Sequence, residues 1–385
     1  MLRYLSAGES HGPELTVIVE GMPSGLAVSK AAIDEQLRRR QQGYGRGLRM
    51  KIETDQVEVT SGVRFGKTLG SPITLHVVNK DFVHWTDRMA VWDEAPDNLK
   101  QVTRPRPGHA DLAGAIKYDH EDIRNVLERA SARNTATMVA AGALARQLLR
   151  HFGIDITAHV VEIGGVQAKQ VPTDWDTLIS TCDESQVRTA DKAAEAAMIA
   201  RIDEAKEKGD TVGGVFEVII RGCPIGLGSY VHPDRKLDGQ LAAAMMSIQA
   251  IKGVEIGLGF EAARRFGSEV HDAIVHDGSR YLRPTNGAGG LEGGVTNGEP
   301  IVLRVAMKPI STLYQPLASV NMATKQAEPA TVERSDYCAV PAASVVGENV
   351  AAWVIAQAFL DKFSGDSIAQ IEEQVAAYAR RVAGR

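Results

Sequence analysis

Eight arginines, Arg40, Arg46, Arg49, Arg104, Arg106, Arg129, Arg133 and Arg334, stand in or beside segments rich in glycine, proline or small residues. A guanidinium offers a planar fork of donors that matches a carboxylate or a phosphate bidentately. Two histidines are presented in the same manner. His11 lies in the elbow Gly8-Glu9-Ser10-His11-Gly12, and His109 follows the stiff run Arg104-Pro105-Arg106-Pro107-Gly108. One carboxylate, Asp336, sits two residues beyond Arg334 in Glu333-Arg334-Ser335-Asp336. The chemistry this set can do is capture of a small polyanion beside groups able to give and take protons. The competing reading makes His11 an ordinary turn residue and the arginine runs a solvated face. Two prolines and a glycine before His109 weigh against it there, because a rigid loop displaying charge is costly without a ligand.

The elements that must hold these residues can be read from periodicity. Leu127 to Gly153 reads as one long helix with Ser131 at a plausible N-cap and Arg129 and Arg133 on one face. It is small and apolar through Ala145, carries Arg146, Arg150 and His151 in its last turn, and stops at Gly153. Its positive end is a ready anion site, although a core helix with a serine cap and snorkelling arginines is the competing reading. Leu2 to Val19 reads as two strands about the His11 elbow, and Ser29 to Gln42 as an amphipathic helix ending in Arg38-Arg39-Arg40. A basic glycine loop follows from Gly43 to Arg49. Strands are expected over Met50–Val63, Ser71–Val78, Ile154–Val166, Val215–Ile220 and Ile301–Met307, and helices over Asp191–Lys208, Asp238–Ile251 and Ala342–Phe363. A last helix begins at Ser367 with Gln370 as capping-box partner. Lys308-Pro309-Ile310-Ser311-Thr312 leaves the end of a strand with one cation and two hydroxyls, a good place to hold a phosphate. Asn286 to Pro300 reads as a long glycine-rich connection, and Asp81 to Lys100, with Trp85 and Trp92, as a surface excursion. The reading is one α/β unit over residues 1–385, with the loops near 38–49 and 81–100 as candidates to close over a ligand.

Bulk composition narrows the class. A chain of 385 residues with 44% hydrophobic and 24% charged residues suits a globular enzyme. Its net charge of −5 argues against non-specific nucleic-acid or membrane binding. Three cysteines without metal-type spacing, Cys182, Cys223 and Cys338, suggest reduced thiols and a cytoplasmic setting. The start lacks a secretory pattern, and the apolar run around Ala136 to Ala145 is too short to span a bilayer. Gly62-Val63-Arg64-Phe65-Gly66-Lys67-Thr68 has one residue too few for a phosphate-binding loop and joins two strands. No strand is followed by G-x-G-x-x-G, and neither H-E-x-x-H, paired C-x-x-C nor G-x-S-x-G occurs, so no metal is expected.

Taken together, the segments resemble chorismate synthase. The resemblance runs through GESHG (Gly8–Gly12), the arginine and glycine run Arg38–Met50, Glu53-x-Asp55, Ser61–Val63, RPRPGHAD (Arg104–Asp111) and RASARNTA (Arg129–Ala136). It continues through Met245–Gly257, the glycine run into Asn297-Gly298-Glu299-Pro300, Lys308–Thr312 and Glu333–Cys338. One departure is Ala130-Ser131, where many relatives carry two serines, which puts any role for a second hydroxyl in doubt. The resemblance implies a β-α-β sandwich, a homotetramer and a dependence on reduced FMN. The implied reaction is an anti-1,4-elimination of phosphate from 5-enolpyruvylshikimate 3-phosphate to give chorismate. His11 would protonate the reduced flavin, His109 would assist the departing phosphate, and Asp336 would handle the proton at flavin N5 with Ser10 as relay. Flavin contacts would come from Arg129, Ala130, Ser131, Gln249, Ala250, Gly293, Lys308, Pro309, Ile310, Ser311, Thr312 and Arg334. Arg40, Arg46, Arg49, Arg104 and Arg133 would meet the substrate or NADPH. Two alternatives stay open: a bifunctional form that reduces its own FMN with NADPH, and a non-catalytic anion-binding protein that would need neither Asp336 nor both histidines.

Overall fold

Leu15, Val17 and Val19 alternate with more polar residues, and they become the buried face of strand β2 (Glu14–Glu20). The computed structural model describes residues 1–47, 54–92 and 94–384. β2 lies between β1 (Arg3–Ala7) and β4 (Ile73–Val78), with β3 (Val57–Val59) outermost, in a four-stranded antiparallel sheet of order β1-β2-β4-β3. Register puts Leu15 opposite Val77, Val17 opposite Leu75 and Val19 opposite Ile73, so one face of the sheet is apolar throughout.

A second antiparallel sheet of five strands has the order β8-β9-β7-β5-β6. These are β5 (Asp155–Ile163), β6 (Val166–Gln167), β7 (Gly214–Arg221), β8 (Ile251–Ile256) and β9 (Ile301–Met307). Helices fill the space between the sheets. α4 (Thr135–His151) packs on α1 (Lys30–Gln41), on β2 and β4, and on α7 (Val340–Lys362), while α7 packs on β5 and β7. The molecule is therefore layered sheet, helices, sheet, the expected β-α-β sandwich in an α+β chain. One apolar core runs through it from Leu2 to Ile371.

Close approach at the helix layer is set by small residues. A Cβ on Gly142 of α4 would lie 2.2 Å from the carbonyl oxygen of Asn349 on α7. α7 is long and apolar enough to cross a membrane by length and composition, but 89% of that stretch is buried inside the protein. It is the central core helix. Its buried carboxylate, Glu348, takes bonds from Arg39 (2.6 Å), Arg146 (2.8 Å), Arg188 (3.1 Å) and the Ala158 amide (2.9 Å).

Several expectations are corrected. Leu127 to Gly153 is not one helix: α3 (Arg124–Ala130) ends at Ser131, which is extended at φ −62 and ψ 142. A 3-10 turn over Ala132–Asn134 follows before α4 begins. Side chains replace the helical ladder there, since Ser131 Oγ accepts from the Arg133 amide (3.2 Å) and the Asn134 amide group donates to the Arg129 carbonyl. Arg129 and Arg133 accordingly leave in different directions. Arg38 to Arg40 lie in α1, as the helix reading has it, so the candidate closing loop begins after Gln41 rather than at residue 38, and Arg39 and Arg40 are buried. The methionine-rich helix α6 (Leu237–Met246) ends earlier than expected, so Gln249 and Ala250 form the turn into β8, with Ala250 at φ 66. Asn286 to Pro300 contains a small hairpin, Leu291–Glu292 with Val295–Thr296. The remaining helices used below are α2 (Asp111–Tyr118), α5 (Lys192–Glu207) and α8 (Ile368–Ala383). The last carries the expected Ser367–Gln370 capping box, and α5 carries the expected Lys208–Glu204 pair just past its end (2.5 Å). All three cysteines are buried and unpaired, and burial pushes each thiol up to about 12.

Candidate active site

A cavity of about 430 Å³ opens where the α3–α4 break, the exit of β9 and the first turn of α7 meet. That volume suits a small organic ligand. Among the described residues its lining holds seven cationic side chains, Arg40, Arg46, Arg106, Arg124, Arg133, Lys308 and Arg334, against three carboxylates, Glu128, Glu333 and Asp336. A larger hollow of about 650 Å³ lies between α1 and the first sheet, but Val28, Ile33, Leu75 and Leu144 make it mainly apolar, and its charges do not converge. The charged and titratable side chains that converge on the smaller cavity make it the candidate site.

The elbow between β1 and β2 brings His11 to its wall. The His11 amide donates to Glu128 Oε2 (2.7 Å), and the ring Nδ1 lies 2.9 Å from Glu128 Oε1. Trp85 covers the ring, with centroids 4.0 Å apart and planes tilted by 32°. Burial pushes the Glu128 carboxyl up, but the His11 ring and amide, with Arg124, hold it below the usual carboxylate range. Ser10 is buried beside His11, and its oxygen takes the Ser131 hydroxyl proton at 3.0 Å.

His109 is held from the other side. Asp111, buried at the start of α2, lies 2.5 Å from His109 Nδ1 and accepts from Arg106 Nε (2.9 Å) and the Arg106 amide (2.9 Å). The carboxylate can only accept, so Nδ1 of His109 carries the proton. The Arg106 Nη2 approach at 3.1 Å is then a charge contact at the ring edge rather than a second hydrogen bond. Arg106 Nη1 donates to Thr312 Oγ1 (2.8 Å), which ties the proline-stiffened loop to the segment after β9. Burial alone would raise the Asp111 carboxyl, yet His109 and Arg106 hold it far below its ordinary value.

The glycine loop after α1 supplies the opposite wall. Asp336 accepts from the Gly47 amide (2.6 Å) and pairs with Arg46 Nη1 (2.7 Å). Gly47 is required for that approach, because a Cβ there would fall 2.7 Å from the Ser335 carbonyl oxygen. Arg334 pairs with buried Asp81 (2.5 Å), and Arg124 pairs with Glu333 (2.8 Å) while lying 5.2 Å from the Trp85 ring. The expected surface excursion is thus corrected at its start: Trp85 lines the cavity and Asp81 is buried behind it as the partner of Arg334, whereas Trp92 is exposed.

Arg40 and Arg133 meet beneath the floor rather than displaying free forks. Asp55 accepts from Arg40 Nη2 (2.6 Å) and from Arg133 Nη1 (2.7 Å), and Arg133 Nε donates to Asn79 Oδ1 (2.8 Å). Burial pushes the Arg40 guanidinium down and the Asp55 carboxyl up, but the two arginines leave Asp55 below its ordinary value. Arg40 Nε is buried and has no partner among the described residues. On the far wall Lys308 Nζ donates to Ser311 Oγ (2.9 Å), and burial with nearby Lys252 lowers its ammonium. Ile248, Ala250, Met307, Ala339, Ala342 and Val346 add a small, apolar surface that can take a planar ring, and Gln249 Oε1 beside it has no donor among the described residues.

Of the residues expected from sequence, the cavity gathers Ser10, His11, Arg40, Arg46, His109, Ala130, Ser131, Arg133, Gln249, Ala250, Lys308, Ile310, Ser311, Thr312, Arg334 and Asp336. Four do not line it. Arg129 turns to β1, donating to the Ser6 carbonyl (2.9 Å) and the Gly8 carbonyl (3.2 Å). Arg104 lies 3.8 Å from Glu328 away from the cavity, Gly293 sits in the small hairpin beside Tyr230, and Pro309 is passed over by its neighbours. Arg49 lies outside the described residues. Sequence reading missed Glu128, Asp111, Asp81 and the partner role of Asp55. Only Asp111, two residues from His109, carried a local signal; Glu128, Asp81 and Asp55 pair with His11, Arg334 and Arg133 across long stretches of chain.

An α+β body whose cationic cavity holds two carboxylate-bound histidines has the charge to take a small anionic molecule. The family model described as chorismate synthase matches residues 2–360. A chorismate synthase of Geobacter metallireducens is 58% identical over 386 residues, covering 98% of each chain. Chorismate synthase 1 of Bacillus cereus is 58% identical over 380 residues, covering 97% of each. A crystal structure of chorismate synthase superposes with a TM-score of 0.81 at 44% identity, over 100% of this chain and 99% of the other. The chain belongs to the chorismate synthase family and is a lyase.

Proposed function

We propose that the cavity performs the anti-1,4-elimination of phosphate from 5-enolpyruvylshikimate 3-phosphate, with reduced FMN bound against its apolar wall. The observation that carries the reading is the pairing of two histidines, each held by a buried carboxylate, with a seven-cation lining in one 430 Å³ space. The substrate bears two carboxylates and a phosphate, and Arg46, Arg106, Lys308 and Arg334 stand where those groups would need forks and charge. Gln249 Oε1, which has no donor among the described residues, the apolar surface from Ile248 to Val346 and the Lys308–Ser311 pair fit a flavin. Reduced flavin supplies the electron density that lets an unactivated C–H and a C–O bond break without a strong side-chain base.

The rest is done by the protein. His109, its Nδ1 proton held by Asp111, would act as the imidazolium and pass its Nε2 proton to the departing phosphate as the C–O bond breaks. His11 holds a proton at the opposite wall. Asp336, fixed by Arg46 and Gly47, takes the proton that the elimination releases, with Ser10 linked to the same wall through Ser131. Trp85 and the Asp81–Arg334 pair keep water from that side. NADPH serves as an indirect reductant, and the protein works as a cytoplasmic homotetramer.

The test is an anaerobic assay with photoreduced FMN and the enolpyruvyl substrate, following chorismate absorbance. Turnover is expected only with reduced flavin, and His109→Ala is expected to lower it by about 10²–10⁴-fold. Chorismate formed under air without reduced flavin would remove the cofactor from the reading. NADPH consumed anaerobically by the purified protein and FMN would make the enzyme bifunctional.

A further inference from the structure

We infer that Glu128 is a positioning residue that fixes the His11 ring in its Nδ1–H form, an inference that rests on the reaction proposed above. Glu128 occupies the last turn of α3, is 2% exposed, and grips the His11 elbow at three points. Its Oε2 accepts the His11 amide (2.7 Å), its Oε1 lies 2.9 Å from His11 Nδ1, and its own carbonyl accepts the Ser10 amide (3.0 Å). A carboxylate has no proton to donate, so the ring must carry hydrogen on Nδ1 whether it is neutral or charged. The proton that comes and goes is then the one on Nε2.

The surroundings reinforce the choice. Arg124 stands 3.5 Å from Glu128 Oε1 and keeps the carboxylate charged from the opposite side, while Trp85 lies over the ring and opposes rotation about its Cβ–Cγ bond. Trp85 is itself anchored through Nε1 to Asp81 (3.3 Å). The same logic recurs at His109 and Asp111, where a buried carboxylate also takes Nδ1. Two histidines on unrelated loops are therefore held in one tautomer by acids that do not themselves need to touch a ligand. Glu128 lies on the helix whose end forms the cavity break, so it registers the β1–β2 elbow against α3 as well.

The experiment compares wild type, Glu128→Gln and Glu128→Asp as full-length protein with ring-15N histidine, His11 being assigned by loss of its signal in His11→Asn. Long-range 1H–15N correlations report which ring nitrogen carries the proton. Wild type is expected to show neutral His11 as Nδ1–H alone. Glu128→Gln, whose amide can also donate, is expected to admit the Nε2–H form and to lower kcat by about 10²–10⁴-fold with KM little changed, the range typical of a lost general acid or a misoriented histidine. Glu128→Asp is expected to restore the tautomer and part of kcat. An unchanged His11 tautomer in Glu128→Gln overturns the inference, as does a loss of activity that rises with KM and with loss of thermal stability while the ring signature stays as in wild type. If wild type shows no elimination activity but Glu128→Gln still releases the ring, the proposed reaction fails and the positioning role stands.

Discussion

Arg133 illustrates how a residue can sit at a site without meeting its ligand. Its guanidinium donates to Asp55, to Asn79 Oδ1 and toward the Val78 carbonyl (3.4 Å), so most of its hydrogen-bonding capacity is used inside the protein. Replacing it leaves Asp55 with Arg40 alone and strands the Asn79 oxygen. Breaking a buried pair costs about 3–5 kcal/mol, and the retained Arg40 contact puts Arg133→Ala near the lower end. Urea denaturation is the measurement, with any change in KM secondary to it. A variant that keeps wild-type stability while KM rises roughly tenfold, about 1.4 kcal/mol, would make Arg133 a direct substrate ligand. The sequence presents Arg133 and Arg129 as an equivalent pair four residues apart. What separates them is Ser131 and Asn134, whose short polar side chains bond locally and turn the backbone between the two arginines.

At the scale of elements, most of the sandwich is legible in the chain because its patterning is strong. Ile301–Met307 is a strand with the expected bounds, the Leu15–Val17–Val19 face is buried, and the Ser367 capping box forms. The failures fall where side chains override the helical period, at Ser131 and at Met246, and where a charge that looks solvated is paired across the fold, as at Arg39 and Arg40. Long-range pairing of this kind leaves no mark on local spacing. Of the site, both histidines and the cations other than Arg124 were legible in the sequence, but Glu128 and Asp55 were not, since each acts through a partner 117 or 78 positions away. The crossing of α4 and α7 depends on a single missing methyl group at Gly142. Alanine is the better helix former by about 1 kcal/mol, which favours Gly142→Ala locally. Its Cβ would nevertheless fall 2.2 Å from the Asn349 carbonyl oxygen, backbone that cannot swing away. The overpacking term of about 1–3 kcal/mol therefore wins, and a lower midpoint with unchanged denaturant slope is expected in equilibrium unfolding. Equal or greater stability would show that the two helices can separate freely.

The whole molecule is tied together at Glu348. Arg39 comes from α1, Arg146 from α4, the Ala158 amide from β5 and Arg188 from the turn before α5, so one carboxylate on α7 joins the helix layer to the second sheet. Burial pushes its carboxyl up, but the three guanidiniums dominate and lower it to about 2. The consequence for stability follows from the direction of that shift. An unfolded glutamate titrates near 4.3, so the folded protein binds fewer protons than the unfolded chain between about 2 and about 4. The stabilisation from Glu348 is complete above about pH 5 and is lost as pH falls through that window. Glu348→Gln removes the charge while keeping the shape, leaving three buried cations facing an amide, and is expected to destabilise by about 3–5 kcal/mol at neutral pH. Because the variant has no carboxyl to protonate, its stability should fall less steeply than wild type between about pH 4 and pH 2. Thermal unfolding of both proteins across that range reads the difference in slope. Parallel curves would mean that folding does not shift the Glu348 carboxyl, and that the charge balance of the helix layer rests on other acids.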